Sequence, residues 1–87
     1  MERSEIYKAI DSERKYQDTV RKVEDKDITP DSEKSVADFI IFIENKLNKA
    51  KKDIYNLDKE GALDNVRKIA ALCVACGEGH GFKERDI

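Results

Sequence analysis

The 87 residues, 41% charged and 39% hydrophobic, are those of a single domain over 1–87 with a modest core. A net charge of −2 disfavours general nucleic-acid binding, which rests on a basic surface, and no apolar run approaches the ~20 residues that span a membrane. The first apolar residue after Met1 is Ile6, among charges, so no export signal is expected, and the two cysteines then predict free thiols in a cytoplasmic protein.

One proline and four glycines point to long regular elements. A first helix is predicted over 3–25, with Ile6, Ile10, Val20 and Val23 at helical spacing. Glu13 and Gln17 fall at the centre of that apolar face, beside Ala9. The polar run "EDKDITPDSEKS" ends the helix, and Thr29 before Pro30 is the expected N-cap of the next, with Asp31 complementing its dipole. The second helix is predicted over 31–55, with Val36, Ile40, Ile43, Leu47, Ala50 and Ile54 as its core stripe. Ile41 and Phe42 project away from that stripe. Either a second subunit or the first helix covers them.

The short connection "YNLDKEG" implies that the second and third helices form an antiparallel hairpin, with Asp58 as N-cap. Ala62, Val66, Ile69, Cys73 and Cys76 are the expected core stripe of the third helix. "IAALCVAC" is apolar all round, which predicts deep burial or an interface there. Gly81 is the expected helix stop, and His80 complements the last turn. The fold class is therefore all-α: a three-helix bundle with an antiparallel C-terminal hairpin, expected to form a homo-oligomer on the evidence of Ile41, Phe42 and the all-round apolar "IAALCVAC", as many domains this small do.

The central Glu13 and Gln17 admit two explanations. A buried unpaired carboxylate is very costly, so the pair either meets a Lys or Arg of a neighbouring helix or lines a pocket that reads donors on a ligand. In the second case Arg14 offers a fork of donors for phosphate, and Tyr16 a flat face for a base. Lys46, Lys49, Lys51 and Lys52, with Arg67 and Lys68, are either a solvated face or the border of an anion site.

Cys73, Cys76 and His80 sit at i, i+3 and i+7, but a zinc site takes four ligands from at least two segments, and no second Cys or His pair exists. These cysteines read as small core hydrophobes. The sequence holds no phosphate loop, no paired-His motif and no Ser–His–Asp pattern, so no catalytic residues, metal or cofactor are assigned.

Two stretches, "IYKAIDSERKYQD" and "ALDNVRKIAALCVACGEGHGFKER", resemble a family of small phage-encoded helical proteins. That family carries an ER-x-YQ element, matched by Glu13, Arg14, Tyr16 and Gln17. A KA element, matched by Lys49 and Ala50, closes its middle helix. An RKIAAL run, matched from Arg67 to Leu72, leads to an acidic residue and an HG, matched by Glu78, His80 and Gly81. The departure is "CGEG", whose glycines put the end of the third helix in question.

At fold level the chain is also similar to phage sponges that sequester nucleotide immune signals, and to all-α nucleotide pyrophosphohydrolases of the MazG type. The latter hold Mg²⁺ with EExxE and ExxD motifs; this chain lacks EExxE, and although it has "ENKLNKAKKD" and "EGALD", lysines of the first stretch stand where oxygen ligands belong. The resemblance implies a non-catalytic oligomeric protein that captures a small nucleotide-like ligand, in the host cytoplasm if phage-encoded. Glu13, Arg14, Tyr16, Gln17, Lys49, Arg67 and His80 are its candidate binding residues. The alternatives are a Mg²⁺-dependent pyrophosphohydrolase and an adaptor that binds a host protein.

Overall fold

The computed structural model describes residues 1–23 and 33–86, with the backbone alone over 20–23. It is all-α: α1 (Arg3–Val23), α2 (Val36–Tyr55) and α3 (Lys59–His80), with no strand among the described residues. The three helices form a bundle in which α3 is the middle member, because α1 and α2 each pack on α3 and not on each other.

Local chemistry sets the helix ends. The N-terminus of α2 is a capping box: the Ser35 hydroxyl accepts from the Asp38 amide at 3.1 Å, and the Asp38 carboxylate accepts from the Ser35 amide at 2.9 Å. This corrects the expected start at 31, since the cap is Ser35; Asp25, Thr29, Pro30 and Asp31 lie outside the described residues, as do the side chains of Val20 and Val23. At the other end of α2, Leu57 takes the left-handed conformation with φ 57°. Its amide donates to the Ile54 carbonyl at 3.1 Å, and the Asp58 amide donates to the Asp53 carbonyl at 2.8 Å, which together make a Schellman stop.

Asp58 then caps α3, its carboxylate accepting from the Gly61 amide at 2.8 Å. A Cβ at Gly61 would sit 2.3 Å from that carboxylate, so glycine is needed for the cap to close. Asn65 ties the hairpin by donating to Asp53 at 2.7 Å and to the Gly61 carbonyl at 3.3 Å. The "CGEG" glycines do not end α3, which runs on to a stop at Gly81, φ 87°. Phe82 folds back over Gly77, whose missing side chain makes room for the ring.

Which faces are buried differs from the periodicity reading. On α2 the buried residues are Phe39 and Ala50; Val36, Ile40, Leu47 and Ile54 of the expected stripe are exposed. The contact face is turned toward Phe39, Phe42, Lys46 and Asp53, because α3 sits to that side. Phe42 is half-buried against the edge of Phe39, ring centroids 6.2 Å apart, while Ile41 stays exposed, and α1 covers neither. On α3 the buried residues are Ala62, Ala71, Leu72 and Ala75; Ile69, Cys73 and Cys76 are half-buried, and Val66 is exposed. "IAALCVAC" is buried as expected at Ala71, Leu72 and Ala75, but Val74 faces outward.

Candidate functional site: a cationic cluster around Glu13 and Gln17

α1 packs on α3, in which Ala71 and Ala75, a turn apart, are fully buried. Adjacent residues of α1 then reach partners about three turns apart on α3, the pattern of a steep crossing. Glu13 reaches Arg67, and Arg14 reaches Glu78. The helix face at the crossing therefore carries charge instead of aliphatic packing.

Glu13 is 6% exposed and accepts from Nε of Arg67 at 2.9 Å. Arg67 also donates to Asp64 at 2.8 Å. The hydrogen bond that Arg67 donates to Glu13 raises its pKa; burial opposes this, and the bond to Asp64 adds to the rise. The neighbouring-helix explanation for Glu13 is thus realised: its charge is compensated by a guanidinium.

Gln17 is compensated by halves. Its Nε2 donates to the Lys68 carbonyl at 3.4 Å, while its Oε1 is buried with no partner among the described residues. Turning the amide over would bring Oε1 against a carbonyl that only accepts, so the orientation is set. A buried acceptor left unpaired costs about 1–3 kcal/mol.

Three lysines close the cluster. Lys46 of α2 has its pKa lowered, first by burial and then by the positive charges of Lys49 and Lys68, with Glu13 opposing. None of the three forms an ion pair with a carboxylate among the described residues. Lys46 and Lys68, which composition alone marked only as part of a basic stretch, are the members that sequence reading left off the binding set. The signal that would have found them is their helical register toward Glu13, which depends on how α2 turns against α3.

Structure separates the remaining candidates. Arg14, 6% exposed, donates from Nε to Glu78 at 3.1 Å and from Nη1 to Asp18 at 2.6 Å. Burial lowers its pKa, but the two carboxylates more than offset this and raise it. Its fork is thereby occupied, not presented at the rim of a pocket. Tyr16 is 62% exposed. His80 lies at the far end of α3, with Nε2 2.6 Å from the Lys34 carbonyl and its ring edge-on to Phe39. A carbonyl only accepts, so Nε2 carries the proton, and His80 fastens the residues before α2 to the end of α3. Of the seven expected residues, Glu13 and Arg67 meet, Gln17 lies beside them on the Lys68 carbonyl, Lys49 reaches only Lys46, and Arg14, Tyr16 and His80 do not join them.

Cys73 and Cys76 are half-buried free thiols, and burial, then Cys76, raises the Cys73 pKa. No three His, Cys, Asp or Glu residues gather as metal ligands among the described residues, and no described helix is long and apolar enough to cross a membrane. Set beside known proteins, the chain matches no family model, no curated protein and no solved structure.

Proposed function

We propose that this protein captures a phosphate-bearing small molecule of nucleotide type, without turning it over, at the cluster where α1, α2 and α3 converge. The observation that carries this reading is the charge arrangement. Burial, and after it the charges of Lys49 and Lys68, lower the pKa of Lys46, while Glu13 is already engaged by Arg67. Clustered like charges cost stability in the unliganded protein, and an anion seated among them would relieve that cost. The orphaned Oε1 of Gln17 adds an acceptor suited to an amino or hydroxyl group of a base or ribose. A site rich in ammonium groups, its carboxylates Glu13 and Asp64 both paired with Arg67, suits an anion better than a metal ion. The similarity to phage sponges points to a nucleotide-derived immune signal as the ligand, and hence to an anti-defence role.

Calorimetric titration with inorganic pyrophosphate and a panel of linear and cyclic nucleotides tests it, followed by heat release and mass analysis of the bound fraction. The reading expects saturable binding that weakens at least tenfold in Lys46→Gln and Lys68→Gln, with the ligand recovered intact. Recovery of a hydrolysed ligand would replace capture with catalysis. No binding across the panel, or binding indifferent to both substitutions, would remove the site.

A further inference from the structure

The best-patterned apolar stripe of the chain is not the one that packs. Ile40, Leu47 and Ile54 recur on α2 at a strict seven-residue interval, with Val36, Ile43 and Ala50 interleaved as in the second apolar position of a heptad. Yet Ile40 is 58%, Leu47 44% and Ile54 61% exposed. Beside the C-terminal half of this seam, α3 turns Leu63 and Val66 outward, and between the two helices lies an apolar groove of about 650 Å³. Lys51 and Lys59 stand among its lining residues.

We infer that two copies of the chain dock through this seam, with their α2 helices antiparallel about a twofold axis at Leu47. Three observations select a second copy in this register. The first is self-complementarity. Ile40 and Ile54 are equally spaced on either side of Leu47, so an antiparallel copy sets Ile40 opposite Ile54 of the second copy and Leu47 opposite itself, as an isologous interface requires.

The second observation is charge. Glu44 and Lys51 flank the seam, one before Leu47 and one after it. Both are exposed and neither has an ion pair among the described residues. The same twofold brings Glu44 of each copy to Lys51 of the other, and such flanking charges set helix orientation in coiled coils. The third is area. Ile40, Leu47, Ile54, Tyr55, Leu63 and Val66 are 44–90% exposed, an apolar surface on the order of the ~800 Å² that each partner buries in a standard interface. The N-terminal half of α2 from the second copy then fills the groove over Leu63 and Val66. The result is a four-helix core from two hairpins. The seam uses a face of α2 different from that of Lys46, so this inference does not depend on the anion site.

Charge reversal in sedimentation velocity tests it. The wild-type chain sediments as a dimer. Glu44→Lys and Lys51→Glu each set like charges together twice per dimer and weaken it about tenfold or more. Mixing the two single variants restores a dimer containing one of each, and the double reversal Glu44→Lys/Lys51→Glu restores the homodimer. Leu47→Asp gives a monomer with unchanged helix content by circular dichroism, since Leu47 is not in the core of one chain. A monomeric wild type at its highest soluble concentration would overturn the inference, as would a monomer that retains an apolar small molecule in the groove. A dimer unmoved by either reversal, or one that mixing fails to rescue, would overturn the antiparallel register.

Discussion

The carboxylate of Glu13 on α1 and the guanidinium of Arg67 on α3 meet at 2.9 Å, the carboxylate side chain 6% exposed and the arginine 38%. This pair supplies one of the few direct ties between α1 and the hairpin, and its worth follows from that asymmetry. Glu13→Ala removes the acceptor and leaves Arg67 with Asp64 and partial access to water, so the penalty falls short of a fully buried broken pair. It also removes the carboxylate whose charge opposes the lowering of the Lys46 pKa. A loss of about 1.5–3 kcal/mol is expected, the scale of a hydrogen bond to a charged group. Urea melts check it, with Glu13→Gln, which keeps an acceptor, losing less.

Arg14 and Glu78 should couple more weakly. Arg14 is almost wholly covered, but Glu78 is half in solvent, and water screens the pair. A double-mutant cycle of Arg14→Ala and Glu78→Ala is expected to return a coupling of up to about 1 kcal/mol. Arg14→Lys will not rescue the wild-type stability, because a single ammonium cannot reach both Glu78 and Asp18 with the directed donors of a guanidinium.

Lys46 gives a pH dependence with a defined sign. Its folded-state pKa is lowered from 10.5 by burial and by its lysine neighbours, so the charged form is disfavoured by folding. The penalty is present at neutral pH and fades as pH rises through the lowered value toward 10.5. The stability of wild type relative to Lys46→Gln should therefore rise over that alkaline window. At pH 7 Lys46→Gln should be the more stable by about 0.5 kcal/mol, the scale of a relieved like-charge helix pair, while binding anions less well. Paired thermal melts at pH 7 and pH 10 measure both.

Leu57 holds a backbone conformation that costs a branched residue about 1 kcal/mol, and its side chain is 93% exposed. Leu57→Gly should relieve that strain without loss of packing. A gain of about 0.5–1 kcal/mol is expected, or several degrees in Tm for a domain of this size. An unchanged or lower Tm would show that Leu57 is covered in the assembled protein.

Local chemistry was legible in the sequence by itself. Three helices, the hairpin and the caps at Asp58 and Gly81 follow from spacing and from side chains that act on their own backbone. So does the anomaly at Glu13, since a carboxylate central to an apolar face demands a cationic partner wherever the chain runs. Which cation answers it was not legible: Arg67 is far along the chain, and only the packing of α1 on α3 brings it there.

The same limit explains the misplaced core of α2. Helical periodicity shows that Ile40, Leu47 and Ile54 share a face but carries no information on what covers that face. The tertiary structure decided it, because α3 packs to one side, against Phe39 and Ala50, and leaves the stripe outward. That rotation also turns Lys46 toward Glu13 and Lys68. One choice of helix facing, set by packing and not by local propensity, thus fixes both the cationic cluster and the uncovered seam.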